Sequence, residues 1–124
     1  MTLLENHCVE FYNGVKCPLL GLGTYLGLGD ECYEAVKAAI GLGYRHIDTA
    51  AVYKNEKQVG RAVNDAIAEF GLRRDELFVV TKLSPTCNHP RLVVAALRQS
   101  NFSSYTLCLT FSLQAQSGIF SLSK

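Results

Sequence analysis

The stretch GYRHIDTAAVYKNEKQVG, residues 43–60, decides the fold. Gly43 can end a preceding helix, YRHID reads as a short strand, TAAVYK as a loop, and Asn55 as the cap of a following helix. In that helix Val59, Val63, Ala66, Ile67 and Phe70 recur at three- and four-residue spacing, and Gly71 closes it. A strand that passes through a short loop into an amphipathic helix is one step of a βαβ unit, so the flanking sequence should supply matching steps.

Downstream, LFVVTKL at 77–83 is β-branched and apolar on both faces at its start, as a strand covered by helices should be. Pro90 then suits a first helical position, and the residues up to Gln99 extend a third helix. Upstream, an apolar Gly-rich run at 19–26 precedes DECYEAVKAAIGLG. There Asp30 can cap a helix whose inner face carries Cys32, Ala35, Val36, Ala39 and Ile40, with Gly41 and Gly43 at its end. Nearest the N-terminus, CVEFYNGVKCPLL sets Asn13 and Gly14 between two half-apolar runs, which predicts a β-hairpin with a type I′ turn. Pro18 cannot donate to a ladder and confines that ribbon to an edge or a plug outside the main sheet.

Strand and helix alternate three times, which predicts parallel strands joined by right-handed crossovers, with their C-terminal ends on one rim. The expected fold class is α/β, a partial TIM (β/α)₈ barrel made of an N-terminal β-hairpin and about three βα units. A whole barrel of that kind takes about 250 residues, and this chain has 124. The character changes at Asn101, beyond which there is no acidic residue and one basic residue, Lys124. Residues 1–100 are accordingly expected to be the barrel portion and 101–124 a divergent tail. Leu107, Leu109, Phe111 and Leu113 alternate there with polar or small residues, a period that predicts one strand.

Composition narrows the partners. The net charge is +1, with 12 Lys and Arg spread among 11 Asp and Glu, so no basic stripe addresses nucleic acid. Cys8, Cys17, Cys32, Cys87 and Cys108 are odd in number and never form a CxxC pair, which suits free thiols in a reducing compartment and offers no metal site. MTLLENHCVEFYNG lacks the basic and apolar regions of a secretory signal, and no apolar stretch reaches membrane-spanning length. A cytoplasmic protein without a membrane partner is expected.

Three segments together carry a resemblance: LGLGTYLG at 20–27, GYRHIDTAAVYKNEKQVG at 43–60 and LFVVTKL at 77–83. They are similar to the aldo-keto reductases, whose signature sets a strand-end Asp five residues before a Tyr and follows it with an N-E-x-x-V-G helix start. The resemblance covers about residues 8–100. It implies an NADPH-dependent oxidoreductase that reduces an aldehyde or ketone to an alcohol, with a small-molecule carbonyl substrate. It further implies Tyr53 as general acid, Lys82 as the cation that tunes it and Asp48 as the partner of that lysine. Physical chemistry agrees, since a ketone accepting hydride becomes an alkoxide and needs a proton donor. A phenol's ordinary pKa of about 10 is too high for easy transfer at neutral pH, and an adjacent ammonium favours the phenolate.

Gly23, Thr24 and Tyr25 match the family's first strand end, beside the nicotinamide, with Asp48 close to it, and Tyr25 stands where tryptophan is common. Gly21 and Gly23 do not form a dinucleotide fingerprint, because Leu26 takes the place of the third glycine. The family's site also has a histidine at the end of the fourth strand. His7 precedes the barrel, His46 lies inside the second strand as a packed, hydrogen-bonded residue, and His89 reads as a loop or capping residue. The resemblance places the grip on the adenosine phosphate late in the barrel, so residues 1–124 are expected to bind NADPH weakly and to be inactive alone. An open sheet edge is expected to invite self-association. Two other readings stay open: a non-catalytic binding or regulatory fragment, and an aldolase-like barrel in which Lys82 forms a Schiff base.

Overall fold

The computed structural model describes residues 7–100 together with the backbone of 113–115 and 118–120. Two strands open the chain, β1 (Cys8–Glu10) and β2 (Lys16–Pro18), paired antiparallel with Cys8 opposite Pro18 and Glu10 opposite Lys16. The expected hairpin is present, but its turn is not type I′. Gly14 has φ +80°, Asn13 is not in the left-handed region, and Phe11 and Val15 bracket a three-residue loop through the 2.8 Å bond from Phe11 N to Val15 O. Only one residue therefore needs the left-handed conformation, and Asn13 instead accepts a hydrogen bond from Val15 N at 3.2 Å.

The main sheet holds β3 (Leu22–Gly23), β4 (His46–Asp48) and β5 (Phe78–Val80), parallel and in chain order. Chain order without reversal is the arrangement a barrel requires. Between these strands run α1 (Gly29–Gly41) and α2 (Glu56–Phe70), whose apolar sides pack on each other and on the sheet. Val36, Ile40, Ile47, Val59, Ala62, Val63, Ala66 and Val79 form the buried core, Ile47 from the middle strand being wholly covered. Of the residues expected on the inner helical faces, Ala35 and Phe70 are exposed. Each sits at the margin of its apolar stripe, and Ala62, not anticipated, takes a central position.

Helix ends explain the chain reversals. Leu28, not Asp30, is the N-cap of α1, so Asp30 lies in the first turn, where its charge complements the helix dipole without capping. At the other end Gly43, at φ +99°, lets Gly43 N bond Ile40 O and Tyr44 N bond Ala39 O, and the Arg45 guanidinium adds a 3.0 Å bond to Ile40 O. Gly71, at φ +65°, stops α2 as expected.

The hairpin covers the N-terminal ends of the strands. His46 Nδ1 donates to Pro18 O at 2.9 Å, and the Phe78 ring meets those of His46 and Phe11 at 5.0 and 6.1 Å. His46 is thus the packed residue its position suggested, at the end of the sheet opposite the rim. Helix α3 (Pro90–Gln99) starts on Pro90, and His89 Nδ1 caps it by accepting from Arg91 N. Unlike α1 and α2, it buries no residue, and Ser100 after it returns to the rim, so the third unit lacks the packing of the first two. The alternation over 107–113 falls outside the described residues except at Leu113, which begins β6 (Leu113–Ala115), antiparallel to β7 (Gly118–Phe120).

Candidate active site

Alternation along the strands sets the site. Ile47 and Val79 point into the helical layer, so Asp48, and Lys82 two residues beyond Val80, project from the opposite face at the C-terminal rim. Lys82 Nζ donates to Asp48 Oδ1 in a short ion-paired contact and to Thr49 O at 3.1 Å. The loop after β4 winds through a 3₁₀ turn, Ala51–Tyr53, that carries the Tyr53 ring over the same lysine, with Nζ 5.1 Å from its centre. Asp48, Tyr53 and Lys82, separated in sequence, are therefore brought together. Lys82 and Asp48 keep 26% and 39% of their side-chain surface, so the pair is open to water and to a ligand.

The loop after β3 completes the rim. Tyr25, two-thirds exposed, sets its ring edge-on to Tyr53 with centres 5.1 Å apart. A Cβ built at Gly23 would meet nothing within 4 Å, so the rim beside this tyrosine is open. Thr24 differs from its neighbours: it is buried, and its backbone N and hydroxyl both bond Asp48 O, at 3.0 and 3.2 Å. It ties the strand tips together and keeps only 5% of its surface exposed.

Asn55 was legible only as a helix cap. It does occupy the N-cap of α2, but its side chain makes no cap bond. Completely buried, it donates through Nδ2 to Thr24 O at 2.7 Å and Gly27 O at 2.8 Å and accepts from Thr49 Oγ1 at 3.1 Å. Sequence reading also missed Glu56, whose Oε1 accepts from Thr81 Oγ1 and Ser100 Oγ, both at 2.5 Å. That network floors a cavity of about 330 Å³ lined by Lys82, Ser84, Cys87, Leu97 and the 3₁₀ turn. An S/T-rich strand end opposite a helix-start Glu was the available signal.

Neither His46 nor His89 reaches the trio. Among the described residues no group of three or more His, Cys, Asp or Glu could hold a metal, and no helix is long and apolar enough to cross a membrane.

The chain has relatives among known proteins. Residues 19–117 match the aldo/keto reductase family. Aldo-keto reductase family 1 member A1 of Xenopus tropicalis is 47% identical over 90 residues, which are 72% of this chain and 28% of that protein. Among solved structures, the aldose reductase of Schistosoma japonicum superposes with a TM-score of 0.73 at 36% identity, covering 76% of this chain and 31% of that one. A Bombyx mori aldo-keto reductase in complex with NADP gives 0.70 at 43% identity, covering 75% and 32%. The chain thus spans about three tenths of the length of the proteins it matches.

Proposed function

Because this chain belongs to the aldo/keto reductase family, we propose that its rim is the proton-donating corner of an NADPH-dependent oxidoreductase that converts aldehydes or ketones to alcohols. The observation that supports this most is Lys82, ion-paired to Asp48 while its ammonium lies against the Tyr53 ring.

The residues present suit the nicotinamide end of the cofactor: the exposed ring of Tyr25 offers a flat surface, and Gly23 leaves the space beside it open. When bound, the nicotinamide supplies the hydride. Tyr53 then gives the phenolic proton to the oxygen that becomes the alcohol. Lys82 stabilises the phenolate left behind, and Asp48 and Thr49 O hold Lys82 in place for that task. In this reading Tyr53 is catalytic, while Lys82 and Asp48 act through it.

A Schiff-base role would need a free amine, whereas Lys82 is engaged by Asp48 and Thr49 O. The family's grip on the adenosine phosphate lies late in the barrel, so weak NADPH binding and no turnover are the expectation for residues 1–124. Titration of the purified chain with NADPH, followed by cofactor fluorescence, tests the reading against a Tyr53→Phe, Lys82→Met double variant. Weak saturable binding that the double variant loses is the expected result. Equal binding in both, or none in either, would remove the cofactor assignment from this rim.

A further inference from the structure

Two non-glycine residues among those described hold a positive φ, Leu26 at +65° and Lys54 at +58°. Side chains disfavour this conformation, and such strain persists only where the surroundings over-determine it. Both lie in rim loops. Leu26 is the third residue of the turn Thr24–Gly27, closed by Gly27 N on Thr24 O at 3.1 Å, a place where glycine or asparagine is usual. Lys54 ends the 3₁₀ turn that carries Tyr53 and directly precedes Asn55.

We infer that Asn55 is a positioning residue whose buried carboxamide clamps the two strained loops together and so fixes Tyr25 against Tyr53. Its Nδ2 spends both hydrogens on the carbonyls that open and close the Leu26 turn, Thr24 O and Gly27 O. Its own backbone is one residue from Lys54 and two from Tyr53, so a single planar amide links the ends of both loops. Thr49 Oγ1 donates to Oδ1, which leaves the NH₂ group to face the carbonyls and fixes the amide's orientation. No other side chain fits this demand. Aspartate would face two carbonyls with no donor, glutamine would add a methylene to a fully covered site, and serine would reach one acceptor at most. The Asn55 side chain is withheld from the helix cap, the role its place in sequence suggests, in favour of the loops.

The consequence for chemistry rests on the proposed function, in which the Tyr53 hydroxyl must meet a carbonyl oxygen beside Tyr25. The clamp itself is testable without cofactor. The chain has six tyrosines and no tryptophan, so its near-ultraviolet circular dichroism reports tyrosine packing. The part of that signal due to the ring pair is the difference between the chain and its Tyr25→Ala variant. Asn55→Ala is expected to abolish this difference while far-ultraviolet dichroism retains the helices. Thr49→Val, which keeps both Nδ2 bonds, should preserve at least half of it. In the unsubstituted chain, NMR should show Asn55 side-chain amide protons exchanging at least tenfold slower than those of exposed asparagines. A ring-pair signal undiminished in Asn55→Ala, or Asn55 amide protons exchanging as fast as exposed ones, would overturn the clamp. The second readout needs no substitution and decides the matter if Asn55→Ala does not fold. Absence of NADPH binding would count against the proposed function and leave these results standing.

Discussion

Replacing Lys82 by methionine removes three interactions of different kinds, and their sizes can be separated. The first is the ion pair with Asp48. Unit charges 4 Å apart attract by about 4 kcal/mol near a protein surface and about 1 kcal/mol in water. Asp48 is 39% exposed and Lys82 26%, so the wet end applies, and exposed pairs contribute about 0.2–1 kcal/mol. The second is the bond to Thr49 O, worth about 1 kcal/mol, and the third the ring contact with Tyr53, worth about 0.5 kcal/mol at an open site. Lys82→Met should therefore cost about 2 kcal/mol and Asp48→Asn about 0.5–1 kcal/mol, with the double variant close to Lys82→Met alone. Urea unfolding of the four proteins gives the coupling energy, expected at about 0.5–1 kcal/mol. A coupling below about 0.2 kcal/mol would mean that the ion pair contributes nothing in solution.

Other consequences follow from the fold. A methyl group at Gly21 would come within 2.8 Å of His46 Cγ and 3.0 Å of its carbonyl, so Gly21→Ala should cost about 1–3 kcal/mol in chemical denaturation. On the outer side of α1 and α2, the Asp65 hydrogen bond raises the Tyr33 pKa and the Glu69 bond raises that of Lys37. Groups raised in the folded state stabilise below their unfolded values and cease to as pH climbs through the folded ones. Melting temperature should thus fall above about pH 10, and fall less in a Tyr33→Phe, Lys37→Met variant, as differential scanning fluorimetry would show. Burial raises the thiols of Cys17 and Cys32, and Cys32 is 2% exposed, so mass spectrometry after iodoacetamide should find Cys32 modified well after exposed Cys8.

Local sequence carried the features that depend on period and strand ends. Asp48 and Lys82 were legible because each sits at or just past the tip of a strand whose apolar alternation is clear, and parallel strands put both on one rim. The hairpin was legible as well, though its turn type was not. Asn13 and Gly14 fit two loop lengths, and the β1–β2 register, which selects between them, is a pairing property. Asn55 misled for a related reason: an asparagine before a helix can bond the helix N–H groups or more remote partners. Here the deciding acceptors, Thr24 O and Gly27 O, come from a loop about thirty residues earlier. Thr24 likewise looked like a ligand-facing residue, and only the approach of the Asp48 carbonyl turns it inward. Pro90 at a first helical position gave the existence of α3, and His89 its cap, but neither gave its place, since a helix finds its seat through the surface it covers, and this one covers little.

The central claim is geometric: an amine held by a carboxylate lies against the ring of Tyr53, the proposed proton donor. Nuclear Overhauser contacts between the Lys82 side-chain methylenes and the Tyr53 ring, measured on the isotope-labelled 13.6 kDa chain, test it most directly. The account predicts such contacts together with upfield ring-current shifts of the lysine protons, both lost in Tyr53→Ala. Lysine methylenes at ordinary shifts, with no contact to Tyr53, would contradict it.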